Sequence, residues 1–428
     1  MKHLTSSTVT VAAICCFMLA SAKAATPDIE QIWKIVQAQQ LRIEQLETSL
    51  AASTGQLEAA KAQLVADAIA QGSRIEQTEL ALENTVAAVE TAVFDRGESD
   101  TTIGGYGELH YNDLDNGEEI DLHRFVMLFS HRFSDTVKVY SELEVEHSLA
   151  GEGKPGEVEV EQAYVHWDYA TNHHAKLGLF LMPVGIINET HEPDTFFGVE
   201  RNSVEKNIIP ATWWEAGVGL SGEIAPGWGY DLAMHSGLNL DTDNTSASRR
   251  SSIRSSRQKV AKANGDSFAY TARLRYAAYA GIQWNATLQY QPDLTQGDAD
   301  NIGIEDISAM LFETNVTYQN GGFGLRALYA NWDIDDEIEI LNSGADEQTG
   351  WYLEPSYTFE NGLGLFARYG AYDLTAGSSV ASDERKQFDL GVNYWIHENV
   401  VIKADYQRQD NDNGTDIDGF NLGVGYSF

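Results

Sequence analysis

Phe420-Asn421-Leu422-Gly423-Val424-Gly425-Tyr426-Ser427-Phe428, the last nine residues of the sequence, alternates apolar with small or polar side chains. A strand sends successive side chains to opposite faces, so Phe420, Leu422, Val424, Tyr426 and Phe428 share one face and Asn421, Gly423, Gly425 and Ser427 the other. As the edge of a soluble sheet this strand would leave five apolar side chains in water. The pattern asks for an apolar medium on one face and a polar one on the other.

The same period of two runs upstream to residue 103. Segments are expected at about 103–114, 120–133, 136–148, 157–169, 173–184, 213–225, 228–238, 266–277, 280–290, 305–318, 321–333, 348–360, 363–373, 384–395, 398–408 and 416–428, sixteen in all. Ile282, Trp284, Ala286, Leu288 and Tyr290 alternate with Gln283, Asn285, Thr287 and Gln289. Tyr230, Leu232, Met234 and Leu238 likewise stand against Asp231 and His235. Tight turns at Ser134-Asp135, Thr171-Asn172, Pro226-Gly227, Gln319-Asn320, Asn361-Gly362 and His397-Glu398 alternate with longer connections. Short turns at one end, long loops at the other and an even strand number predict an all-β transmembrane barrel of 16 antiparallel strands with a watered lumen. The turns should then face the periplasm and the long loops the outside.

A different period precedes the barrel. Ile29, Val36, Ile43, Leu50, Leu57 and Leu64 recur every seven residues, with Ile32 and Leu46 at the complementary positions, and Ile75, Leu82 and Val89 resume after a stutter. Residues 25–94 are therefore expected to form a periplasmic α-helical coiled-coil stalk, joined through a charged linker at 95–102 to the barrel at 103–428. Val9 to Ala22, between Lys2 and the small-residue site Ala22-Lys23-Ala24, reads as a signal peptide over 1–24.

The full chain has 428 residues with 28 Lys and Arg against 64 Asp and Glu, a formal charge of −36. Loss of Lys2 and Lys23 with the signal leaves 26 bases against 64 acids, or −38. So acidic a chain excludes a nucleic-acid partner. Cys15 and Cys16 lie inside the signal, so neither a disulfide nor a cysteine metal site is expected in the mature chain. Asp410-Asn411-Asp412-Asn413-Gly414 lacks the spacing and the twelfth-position Glu of a calcium loop. His191 with Glu189 and Glu192 lacks a helical His-Glu-x-x-His frame, and no nucleophile elbow or phosphate loop occurs. No catalytic residue, metal or cofactor is assigned, and an enzyme is not expected.

Alternation places Arg124, Arg132, Lys138, Lys176, Arg273, Arg275, Arg326, Arg368 and Lys403 in the lumen. It also places Glu142, Glu144, Glu146, Glu215, Asp231, Glu313, Glu354, Asp389 and Asp405 there. Walls of both signs produce a transverse field that orients small polar solutes, unless the charges are spent as ion pairs across the wall. The third long connection, about 185–212, supplies candidates for a constriction: Glu189, His191, Glu192, Glu200, Arg201, Glu205 and Lys206. Arg249, Arg250, Arg254, Arg257, Lys259 and Lys262 form a basic loop between the seventh and eighth strands. It has three open readings: folded inward to gather anions, paired with lipopolysaccharide phosphates, or solvated.

The chain resembles the sixteen-stranded outer-membrane porins related to the phosphate-selective porins O and P. The resemblance spans residues 101–428. It rests on Ile103-Gly104-Gly105-Tyr106-Gly107-Glu108-Leu109-His110, Leu122-His123-Arg124-Phe125, Glu159-Val160-Glu161-Gln162-Ala163-Tyr164, Lys176-Leu177-Gly178-Leu179-Phe180 with Val184-Gly185, Glu200-Arg201-Asn202 and the terminal Phe428. The resemblance implies a homotrimeric diffusion channel in the bacterial outer membrane, surrounded by lipid and lipopolysaccharide. It also implies a third loop folded into the channel, and in the namesakes a basic ladder that attracts phosphate. Tyr426 and Phe428 resemble the terminal signal read by the barrel assembly machinery. The stalk is absent from the best-known members and suggests a stalked branch, with a tether to peptidoglycan as the alternative to a channel.

Overall fold

A computed structural model describes residues 100–377, 383–412 and 414–428, with Gln37 and Gln40, both helical and exposed, as the described positions upstream. The signal-peptide and coiled-coil assignments lie outside the described residues.

Sixteen strands follow Asp100: β1 Thr101–Leu114, β2 Gly117–Arg132, β3 Val137–Glu146, β4 Val158–Ala170, β5 His173–Leu181, β6 Trp214–Ala225, β7 Trp228–His235, β8 Ala269–Tyr279, β9 Ile282–Gln291, β10 Ala309–Asn320, β11 Phe323–Ile334, β12 Glu347–Thr358, β13 Leu363–Asp373, β14 Arg385–His397, β15 Val400–Asn411 and β16 Ile417–Ser427. Each pairs antiparallel with its sequence neighbours, and β1 pairs with β16 to close the barrel. Closure leaves no strand edge unpaired, as a membrane-spanning sheet requires. At the seam the amide of Gly105 donates to the Phe428 carbonyl at 2.9 Å and the amide of Phe428 donates back at 2.8 Å. Gly105 permits the terminal ring to lie against β1, because a Cβ there would sit 2.9 Å from the Phe428 ring. The first strand starts at Thr101, two residues inside the expected linker.

Burial is inverted relative to a soluble protein. Leu288 is 51% exposed and Tyr290 48%, while the alternate residues Thr287 and Gln289 are buried. Apolar residues thus face the bilayer and polar ones the lumen, as the alternation predicts. Seven connections of two to four residues, at 133–136, 171–172, 226–227, 280–281, 321–322, 359–362 and 398–399, mark one end. At the other end the connection 115–116 is also tight, contrary to expectation, because β2 begins at Gly117. The remaining ones are longer, above all 182–213 and 236–268.

Two sequence expectations fail at the long-loop end. Leu238 does not face the bilayer: β7 stops at His235, and Leu238 is fully buried inside. Nor is the whole lumen watered. Leu238, Leu240 and Ile253 of the 236–268 loop, Leu294, Ile307, Ile338 and Leu341 of later loops, and Val204, Ile208 and Ile209 of the 182–213 loop form one apolar cluster. Their partners on the wall are inward side chains of β10 to β13, among them Leu311, Leu328, Trp332, Tyr352 and Tyr372. These loops carry too much apolar surface to lie in water, and the inward wall positions facing them are apolar too, so burial drives them into the barrel.

Candidate functional site

With one side of the barrel packed by loops, the site is the space left beside β1 to β4. The loop at 182–213 defines its far wall, and its neck is closed by one side chain. Asn188 Nδ2 donates to the carbonyls of Met182 at 2.8 Å and Trp213 at 3.0 Å, while its Oδ1 accepts from the Trp213 amide at 2.7 Å. Glu205, in the short helix Ser203–Asn207, accepts from the amides of Ile186 at 2.9 Å and Ile187 at 2.8 Å and from the Tyr352 hydroxyl at 2.7 Å. Burial raises its carboxyl above the usual range, although these hydrogen bonds pull the other way. Glu205 is therefore a loop brace; its carboxylate is spent on backbone amides and a tyrosine.

The crossing segment of this loop is held by groups that alternation assigns to the lumen. Arg124 donates to the His191 carbonyl at 3.2 Å, Arg326 to that of Thr195 at 2.8 Å, Arg368 to that of Phe197 at 3.4 Å and Lys403 Nζ to that of Gly198 at 2.8 Å. Asp405 accepts from the Val199 amide at 2.7 Å. A segment of turns and bends inside a barrel has no strand partner, so its backbone groups must find side chains, and the wall supplies them.

The lumen bases do not form a free ladder. Arg124 also pairs with Glu108 at 2.5 Å, Arg273 with Asp231 at 2.7 Å and Glu189 at 2.5 Å, Arg275 with Asp231 at 2.9 Å, and Arg368 with Glu354 at 3.0 Å and Asp389 at 2.9 Å. Arg132 lies at the turn end, largely exposed, 3.6 Å from Asp100. Among the described residues Lys138 and Lys176 have no carboxylate within ion-pair distance, and Lys176 lies 5.1 Å over the Tyr164 ring. Glu142 accepts from the Tyr106 hydroxyl at 2.8 Å and from Gln162 at 2.7 Å, and Glu215 accepts from the Trp213 indole at 2.9 Å. Register places charges opposite one another on neighbouring strands, where ion pairing is nearer than any solute.

His191 sits between Glu142 at 3.6 Å and Glu161 at 3.5 Å. Burial alone would keep its ring neutral, but the two carboxylates outweigh it and hold its pKa well above the ordinary value. Glu200 accepts from His110 at 3.0 Å and Asn112 at 3.2 Å. Burial would raise its carboxyl, and His110 reverses this and keeps it well below the usual range. Burial raises the Glu192 carboxyl.

The 236–268 loop contributes the opposite sign. Arg254 donates to the carbonyls of Lys206 at 2.7 Å and Ala211 at 2.9 Å, and Arg257 donates to the Thr212 carbonyl and lies 5.8 Å over the Trp214 ring. Lys259 pairs with Glu157 at 2.7 Å and with Glu159. Arg250 turns away to the Leu341 carbonyl at 2.8 Å, while Arg249 and Lys262 are exposed. Of the three readings of this basic loop, folding inward describes Arg254, Arg257 and Lys259.

Between wall and loops lies a cavity of about 340 Å³. Its lining carries six carboxylates, Glu108, Glu144, Glu146, Glu159, Glu161 and Glu200, five of them on the barrel wall. Six bases oppose them, Arg124 from the wall and Arg201, Lys206, Arg254, Arg257 and Lys259 from the two loops. Acids on the wall and bases on the loops set a field across the opening, and equal numbers leave little net charge to select ions by sign alone. The lumen positions read from the sequence include the wall acids of β3 but not Glu108, Glu159 and Glu161; Glu108 faces inward with Tyr106 and His110, and Glu161 is the extra residue of a bulge in β4.

A family model described as Gram-negative porin matches residues 237–414. An uncharacterised protein of Aquifex aeolicus (strain VF5) is 31% identical over 355 residues, which cover 76% of this chain and 80% of that protein. Among solved structures, Salmonella typhi OmpF in complex with daunomycin has a TM-score of 0.55 at 16% identity, over 77% of this chain and 97% of that one. The anion-selective porin from Comamonas acidovorans has a TM-score of 0.55 at 13% identity, over 77% and 100%. The outer membrane channel DcaP of Acinetobacter baumannii gives 0.53 at 14%, over 77% and 97%. The structures establish the barrel fold, and the match of residues 237–414 to the Gram-negative porin model, with the inverted burial, supports a porin-like barrel of the outer membrane.

Proposed function

We propose that this chain is a water-filled channel, without enzymatic activity, for passive diffusion of small hydrophilic solutes across the outer membrane. The observation that carries the reading is the opening beside β1 to β4, with carboxylates on the wall and guanidinium and ammonium groups on the inward loops. Such a lining suits small hydrophilic solutes that carry both signs, since each sign finds a partner across the field, and an anionic solute would be held by the bases of the loops. Phosphate remains the narrower proposal. It is supported by the resemblance and by Arg201, Arg254 and Arg257, which bond to carbonyls and a hydroxyl and so keep their charge. The arginines paired along the wall argue against a continuous phosphate ladder.

A homotrimer is part of the proposal. OmpT of Vibrio cholerae, of the same fold at 11% identity with a TM-score of 0.51, is known in a trimer form. The turn end is placed in the periplasm, and Tyr426 and Phe428 are proposed to be read by the assembly machinery. The tether reading depends on residues 25–94, outside those described, and no described feature favours it. The test is single-channel current of the refolded protein in a planar bilayer under a salt gradient. Stepwise conductance with a reversal potential near zero is expected. Absence of conductance from a correctly folded barrel would overturn the channel reading, and phosphate block of chloride current would establish the narrower one.

A further inference from the structure

Beside the constriction, at its long-loop rim, stand Asp121 and His123 of β2 and His147 just past the end of β3. We propose that these three side chains form a binding site for a borderline divalent transition cation such as Zn²⁺. His147 Nδ1 lies 2.8 Å and His123 Nδ1 3.3 Å from Asp121 Oδ2, and the three ligand atoms lie within 4.8 Å of one another. Zinc binds imidazole nitrogen and carboxylate oxygen at about 2.0–2.2 Å, so ligands at tetrahedral corners stand roughly 3.3 Å apart. Both histidines already stand near that spacing from Asp121, and all three ligand atoms lie within 4.8 Å of one another.

Two departures from regular strand geometry build the trio. A bulge lets β2 advance three residues, Asp121 to Arg124, while β1 advances two, Glu108 to His110, which turns His123 and Arg124 together toward the lumen. His147 has φ of +53°, a left-handed conformation rarely adopted by a residue with a side chain, and this turns its ring back onto Asp121. The His123 ring is further oriented by stacking on His110, with centroids 4.6 Å apart. His110 is in turn held by Glu108 at 3.1 Å and Glu200 at 3.0 Å. The His123 ring is thus oriented from behind by its neighbour, as a metal ligand requires of its outer surroundings. Two imidazoles and one carboxylate with open positions suit a transition cation better than calcium or magnesium, which prefer oxygen.

A bound cation would add positive charge to the carboxylate side of the opening and weaken the field across it. The experiment is calorimetric titration of the refolded full chain in detergent with Zn²⁺ alone, and with Ca²⁺ as the comparison. This readout is independent of whether the barrel conducts. One-to-one Zn²⁺ binding is expected, with affinity reduced at least about tenfold in His123→Ala and His147→Ala and unchanged in His166→Ala. The last variant controls for a second lumen trio, His166, Asp168 and His174. Heat-resistant migration of each variant shows that it is folded. Absence of saturable Zn²⁺ binding, or binding lost in His166→Ala but retained in His147→Ala, overturns the proposal.

Discussion

The two loops that fold into the lumen span nearly equal lengths, residues 182–213 and 236–268, yet they are held by opposite means. The first receives its bonds: wall arginines, a lysine and amides donate to its carbonyls, and Asn188 and Glu205 close it on itself. The second gives them, since its Arg254 and Arg257 donate to carbonyls of the first loop. A carbonyl accepts a hydrogen bond without cancelling a cation's charge, so the second loop is anchored and still electrically active. The first spends its acids Glu189, Glu200 and Glu205 on its own architecture, while its Arg201 and Lys206 still line the opening. Candidate residues on the two loops therefore carry different work, although both sets are charged and both lie in the lumen.

The sharpest way to break this division is Asn188→Ala. It removes three buried bonds at the neck of the first loop and should destabilise the barrel by about 3 kcal/mol, read as a lower urea midpoint in lipid vesicles. Conductance steps should become larger and noisier as the loop loosens. Reversing the second loop's charges, with Arg254→Glu and Arg257→Glu together, should shift the permeability ratio toward cations by about tenfold. Arg254→Gln, which keeps a donor, separates loss of the anchor from loss of the charge.

His191 gives a pH test of the first loop. Its folded pKa is raised, so its contribution is fully present below about 6.5, the value of a free imidazole, and is lost as pH rises through the higher folded value. The loop should therefore hold through neutral pH and loosen only in alkali, seen as rising current noise that His191→Gln abolishes. The smallest effect belongs to Arg249→Ser and Lys262→Ser. Both side chains are exposed, and stability should stay within about 0.5 kcal/mol of the parent, with reversal potential unchanged. A large selectivity change from these two would move the active part of the second loop to its tip.

The barrel was legible because a strand's period of two is a local property. Strand β9 is recognisable from Ile282 to Tyr290 without knowing its neighbours, and the bilayer then dictates which face goes out. Leu238 shows where that logic ends: it continues the period of β7, but the chain has already turned inward after His235. The lumen charges illustrate the same boundary. Parity places Arg273 and Asp231 on one face, but whether they serve a solute or each other depends on register, which sets them opposite at 2.7 Å. No sequence spacing connects Asp121, His123 and His147, because a bulge and a left-handed residue assemble them.

Alternation, turn chemistry and the terminal aromatic strand determine from sequence alone a closed barrel with an apolar belt, since each reports the medium that a single residue must face. Which side of the lumen is packed, which arginines are spent as ion pairs and where acids oppose bases are decided only by the tertiary structure. Those outcomes rest on contacts between residues far apart in the chain, such as Lys403 with Gly198 and Arg254 with Ala211, whose meeting depends on how two long loops enter the same confined space.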